Sequence, residues 1–234
     1  MRATVALLAL AHGALALAPP QRPFSHDAHR IPTIHESAVM ARRILHLSGL
    51  GTLSTIFPVP SSAQETRPSD VGGTAIGLVD YIADCEYATG NPTILALDIA
   101  TSFKNVTAGS NISLSLNWIP PEGRVRSPDS LPRFSLQGYL EDVSANELEE
   151  HAIPACFARY HPDSHAWYPG NRIHTSRWVR LVVQEVHWIG GFGDRAFIGW
   201  IPVEEWRNVT RQEVRECVLP GEEERSWWRE WLGL

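Results

Sequence analysis

Ile112, Leu114 and Leu116 alternate with Ser113, Ser115 and Asn117. A period of two turns one row of side chains inward and the other toward solvent, so residues 112–118 are predicted to form a half-buried strand. Other β-rich runs cover residues 52–57, 75–82, 93–100, 134–143, 178–189 and 196–201, parted by Gly, Asn and Pro. The run at 178–189 is the longest of them, and Gly190-Gly191-Phe192-Gly193 turns it into the last. Two helices announce themselves by capping boxes, in which a hydroxyl caps the amide three residues on and a glutamate reaches back. Thr33-Ile34-His35-Glu36 opens one, followed by Val39, Met40, Ile44 and Leu47 at helical spacing and a stop at Gly49. Ser144-Ala145-Asn146-Glu147 opens the other, which Pro154 must kink or restart before Tyr160. Residues 61–73, 120–132 and 161–171 read as exposed polar loops. Six or seven strands with two or three peripheral helices, joined mostly without helical crossovers, predict a mainly β fold. The economical form is an antiparallel, Greek-key-like β-barrel, closed or partly open.

The ends of the chain follow other patterns. In residues 1–18, Arg2 precedes the apolar stretches 5–10 and 14–17, and Ala14-Leu15-Ala16 and Ala16-Leu17-Ala18 are small-x-small cleavage sites. That is the layout of a signal peptide. The expected location is the secretory pathway, ending outside the cell or in a vacuolar or lysosomal lumen, and no later stretch is long and apolar enough to span a membrane. Residues 19–32 read as a loose arm, 33–210 as the barrel domain and 211–234 as a Trp-rich tail. In that tail Trp227, Trp228, Trp231 and Leu232 share a helical face suited to docking on the same protein. A net charge of −6 argues against a nucleic-acid partner.

Asn105-Val106-Thr107, Asn111-Ile112-Ser113 and Asn208-Val209-Thr210 are N-glycosylation sequons. Cys85, Cys156 and Cys217 allow one bridge and one free thiol, with three pairings open. Thr101-Ser102-Phe103-Lys104, directly after a strand, reads as a phosphate-binding turn, and Lys104 is the only lysine in the chain. His161, His165 and His174 lie in a Pro/Gly-rich loop with no register to converge them, so no metal site is expected. No side chain declares itself a general acid or base, and catalytic residues stay unassigned.

Taken in order, Ala41-Arg42-Arg43-Ile44-Leu45-His46, Gly51-Thr52-Leu53-Ser54-Thr55, Thr101-Ser102-Phe103-Lys104-Asn105 and the long Trp-bearing strand into GGFGDRAFIGW resemble the FMN-binding split-barrel superfamily of pyridoxamine 5'-phosphate oxidase. Within it, the leader, the sequons and the stretch from His161-Pro162 to Trp167 are most similar to the CREG-like secreted glycoproteins. The resemblance runs from about Glu36 to Val209 and implies a homodimer of six-stranded barrels with any flavin in the groove between subunits. It places the FMN phosphate on Ser102 and Lys104 with Thr101 beside them, and Ser54 and Thr55 on the flavin-facing strand. CREG-like membership implies instead that this groove is altered or blocked. Two readings follow: a binding protein with a vestigial flavin groove, acting on a small molecule or a protein, and an FMN-dependent oxidoreductase. The Gly-rich turn at 190–193 is also similar to that of haem-utilising split barrels. Trp178, Trp188 and Trp200 are expected to pack the barrel or the dimer interface.

Overall fold

A computed structural model describes residues 30–59, 67–121 and 127–222. The leader, most of the arm, parts of two polar loops and the tryptophans of the tail lie outside the described residues. Helix α1 (Ile34–Leu47) is followed by strands β1 (Leu50–Ile56), β2 (Ala75–Glu86) and β3 (Asn91–Leu97), helix α2 (Thr101–Thr107) and strands β4 (Ile112–Asn117) and β5 (Arg133–Asp142). Helices α3 (Ala145–Glu150) and α4 (Ile153–Tyr160), strands β6 (Ser176–Ile189) and β7 (Ile198–Ile201), and helices α5 (Val203–Asn208) and α6 (Arg211–Glu216) complete the described chain.

All pairings are antiparallel, in the order β3-β2-β1-β4-β5-β6-β7, and β3 also pairs with β6. The mainly β fold is therefore a closed antiparallel barrel of six strands, with β7 added outside the ring. Alternation sets its inner face: Leu53, Leu114, Leu136, Leu181 and Val186 are fully buried, and Ile112, Leu116 and Phe134 nearly so. Full burial of such a side chain contributes about 1.5–3 kcal/mol. At the β5–β6 bulge, a Cβ on Gly138 would meet the Val182 carbonyl oxygen at 2.0 Å, so that approach of the two backbones requires glycine.

Both expected capping boxes form, Thr33 with Glu36 and Ser144 with Glu147. The Glu36 carboxyl is held down at about 2, first by the Arg30 guanidinium and then by the Thr33 bonds, with burial opposing them. Pro154 restarts rather than kinks the second helix: Ala152, in the left-handed region at φ 46°, separates α3 from α4.

Other expectations need correction. The chain has six α-helices among the described residues, not two or three. Residues 98–100, expected in a strand, leave β3 early and lead into α2. The segment 161–171 is only in part an exposed loop: Pro162–Trp167 forms a 3-10 helix, and His161 and Ser164 are buried while Pro162, Asp163, His165 and Ala166 stay exposed. Residues 211–222, assigned to the tail, belong to the barrel domain, since Val214, Cys217 and Leu219 enter its core.

A second apolar cluster of Ala83, Leu95, Val143, Ile153, Phe157 and Trp178 seats α4 on the outside of the barrel. The bridge between Cys85 and Cys156 fastens it there, and Cys217 is left free. Burial pushes the Cys217 thiol up to about 12, so it is inert at ordinary pH. Arg42 is wholly buried, giving hydrogen bonds to the carbonyls of Tyr87 and Trp206 and stacking against both rings. Gly90, at φ 68°, leaves room for that guanidinium, which a Cβ there would approach to 2.5 Å.

Candidate functional site

The expected phosphate turn is helix α2. Lys104 N donates to the Ala100 carbonyl and Ala108 N to the Lys104 carbonyl, and Gly109, at φ 96°, follows its end. Side chains on an α-helix turn by about 100° per residue. Ser102 and Lys104 consequently point about 200° apart, and the burial agrees: Ser102 is buried and Lys104 exposed. Thr101, half-buried, opens the helix, and Ala100 caps it without a side-chain bond.

Asn105 shares the inward face with Ser102. It is 4% exposed, and its Nδ2 donates to Thr55 Oγ1 across 3.0 Å of buried space. Thr55 belongs to the inner row of β1 with Gly51 and Leu53, whereas Ser54 lies on the outer row with Thr52. The two residues expected on the flavin-facing strand therefore sit on opposite sides of the sheet, as the period of two requires.

What surrounds Lys104 is an open cleft of about 470 Å³, lined by Asp98, Phe103, Lys104, Thr107 and Arg177. Arg177 pairs with Asp98 at 3.3 Å and with Asp142, and the Thr107 hydroxyl donates to the Phe103 carbonyl. A phosphate dianion requires several donors converging on one point. Here Lys104 is the one cation of the lining not paired to a carboxylate, and Thr101, Ser102, Ser54 and Thr55 line none of the cleft. Within one subunit these residues do not converge on a single phosphate position.

Strand register assembles a feature that no local motif announces. Val79, Thr52, Ser115, Ser135, His187 and Trp200 lie directly opposite one another across six strands, from β2 through β1, β4, β5 and β6 to β7. Beside that row runs another: Gly77, Ser54, Ser113, Gln137 and Glu185. Ser115 donates to Ser135, Gln137 donates to Ser135, and the Trp200 ring meets His187 edge-on at 4.9 Å. The result is an outer face of polar side chains, small across β1 and β4 and larger at Gln137, Glu185 and His187, flanked by Val79 (66% exposed) and Trp200 (56%). Trp178 and Trp188, by contrast, are buried in the two clusters as expected.

Of the histidines in the 161–174 segment, His161 serves structure. His161 donates from Nε2 to the Ile82 carbonyl and stacks on Tyr81, whose hydroxyl donates to Asp163. Among the described residues no group of three or more potential metal ligands converges. Sequence reading missed His46, whose Nδ1 lies 3.0 Å from Oδ2 of Asp84, a carboxylate with no side-chain exposure. Their separation of 38 residues left no local signal. Tyr160, whose hydroxyl donates to the His46 carbonyl, is pushed up to about 12, chiefly by burial.

The architecture is that of a split barrel, closed by one long strand that serves different neighbours along its two halves. The chain belongs to the CREG β-barrel family, whose model, "CREG, beta-barrel", matches residues 32–208. No curated protein sequence matches it. Among solved structures, one chain aligns at 18% identity and TM-score 0.55, over 76% of this chain and 99% of its own length. The heme-binding protein from Mycobacterium smegmatis aligns at 20% identity and TM-score 0.53, over 76% of this chain and 61% of that one. ChuZ from Campylobacter jejuni aligns at 12% identity and TM-score 0.50, over 71% of this chain and 60% of that one. At these identities the likeness is one of fold alone.

The buried amide predicts a difference between neighbouring residues of α2. Asn105→Ala, which leaves the Thr55 hydroxyl without its partner, lowers stability by about 1–3 kcal/mol. Lys104→Ala changes it by less than about 0.5 kcal/mol. Urea unfolding midpoints check both, and equal effects would show that Asn105 is no strut.

Proposed function

We propose that this CREG-family chain is a secreted, N-glycosylated homodimer that acts by binding a small-molecule or protein ligand, with a flavin groove that is vestigial. The observation that carries this reading is the helix at residues 101–107, which turns Ser102 and Asn105 into the barrel and leaves Lys104 alone in an open cleft. The leader at 1–18 and the Cys85–Cys156 bridge support passage through an oxidising compartment. Among the described residues no helix is long and apolar enough to cross a membrane.

The competing reading, an FMN-dependent oxidoreductase, rests on Lys104 and on the superfamily. The heme-binding split barrel from Mycobacterium smegmatis keeps tetrapyrrole binding as a third. One preparation separates them. The purified chain is expected to show neither flavin nor haem absorbance, and FMN titration is expected to give no saturable binding in wild type or Lys104→Ala. Saturable wild-type binding that Lys104→Ala weakens by about ten- to a hundredfold, the loss of a charge-assisted contact, would establish the oxidoreductase reading. A Soret band near one haem per chain would establish the third.

Glycans on Asn111 and Asn208 are part of the proposal, both residues being exposed. Asn105 is not, because its Nδ2, the atom a glycan would occupy, is buried against Thr55. Peptide mapping after enzymatic deglycosylation is expected to find the mark of a removed glycan at Asn111 and Asn208 and an unmodified Asn105. A glycan at Asn105 in most molecules would contradict the packing of α2.

The second subunit is assigned to the outer face that runs from Val79 to Trp200, where small side chains let two sheets approach and exposed apolar side chains flank them. Sedimentation is expected to give a dimer at micromolar concentration and a monomer for the double variant Val79→Glu, Trp200→Glu. A wild-type monomer would count against the dimer, and an unchanged dimer in the variant against this face.

A further inference from the structure

His35 stands in the first turn of α1, between α5 and α6. Its Nδ1 lies 2.8 Å from Oε2 of Glu205 on α5, and its Nε2 lies 2.8 Å from Oε1 of Glu213 on α6. A neutral imidazole has a single N–H to donate. Carboxylates against both nitrogens therefore require one proton more than a neutral ring and two ionised carboxylates carry. The ring is the seat for it. Glu213 accepts at its other oxygen from the Thr210 N–H at 2.8 Å and the Thr210 hydroxyl at 2.7 Å, bonds that favour an ionised carboxylate.

No other described partner competes for the ring. Glu36, on the same helix, is engaged by Arg30 and Thr33. Arg207 donates to the Val183 carbonyl, Arg211 lies over the Tyr87 ring, Arg215 is exposed, and Glu216 accepts from Gln212. Glu204 is exposed. On β2, Asp84 is turned to His46 and Glu86 to Arg180.

We propose that His35, held between Glu205 and Glu213, is a proton-dependent clamp that fastens the α5–α6 pair to α1 in mildly acidic solution and loosens as the solution turns alkaline. The bond to Glu213 is the main cause that raises the His35 pKa above 6.5, against burial and with help from Glu205. Burial pushes the Glu213 carboxyl up, but the bonds from His35 and Thr210 outweigh it and bring the pKa below 4.5. A raised histidine stabilises fully below 6.5 and ceases to do so as pH climbs through its folded value. A lowered carboxylate stabilises above 4.5 and ceases to do so as pH falls through its folded value. The clamp is strongest between those two limits.

Trp206 and Val214, both buried, keep the helix pair seated when the clamp opens, so the change is local. Hydrogen exchange on the full-length glycosylated protein reads it. Corrected for the intrinsic base-catalysed rate, amides of α5 and α6 are expected to exchange roughly three- to tenfold faster at pH 8 than at pH 6. In His35→Gln that ratio is expected to fall to about one. The same pH ratio in the variant would overturn the proposal. Histidine NMR on the wild type gives a reading independent of the variant's folding. A His35 midpoint above 6.5 is expected, and one at or below 6.5 would overturn the clamp.

Discussion

The closed barrel depends on one strand long enough to have two different neighbours on a single edge. β6 is 14 residues long and pairs with β5 along one side. On the other side residues 176–180 meet β3 and residues 186–189 meet β7. Without the first of those pairings the six strands would form an open sheet with β3 as an unpaired edge, and the inner row of leucines and valines would lack its closing wall. The bulge at Gly138 allows the rest, because it shifts the β5–β6 register midway and lets the two halves of β6 diverge.

Around this ring the molecule uses buried polar groups as fasteners. Arg42 ties α1 to the β2–β3 turn and α5 through two carbonyls, and burial lowers its pKa without removing its charge. Arg180 gathers Glu86, Glu141 and Glu147 from β2, β5 and α3. Asn105 ties α2 to β1. Removing one partner from such a contact leaves the other desolvated and unsatisfied, which costs more than the contact itself contributes. Each fastener joins elements far apart in sequence, and that holds peripheral helices in one place on the barrel.

How much of this was legible follows from the range of each signal. The alternation over 112–117 and the capping boxes at Thr33 and Ser144 are local, and all three appear in the structure as read. The opposite facing of Ser54 and Thr55 was equally local, and a period-two count would have shown it. So was the third capping box, Thr210 with Glu213, which the reading passed over by drawing the boundary between barrel and tail through it, after residue 210. Helix α2 was not legible. Thr-Ser-Phe-Lys-Asn-Val-Thr has poor helix propensity, and the burial of Phe103 beneath a connection crossing from β3 to β4 decides its form. The candidate site shared that fate, since its residues were chosen for chemistry while their directions were set by tertiary packing. The row from Val79 to Trp200 depends on the registers of five strand pairs, which no window of sequence contains.

The late pairing of β3 with β6 has a consequence during synthesis. Leu97 ends β3 and must wait for Ser176, its partner in β6, before the ring can close. At roughly 5–20 residues per second, the interval is on the order of 4–16 s, in which one edge of β3 stays bare on a growing chain. Cys85 and Cys156 both precede β6, so their bridge can form during that wait and seat α4 on β2 before closure. On the secretory route proposed for this chain, the order of emergence makes an oxidising lumen a participant in assembly as well as a place where the finished bridge persists.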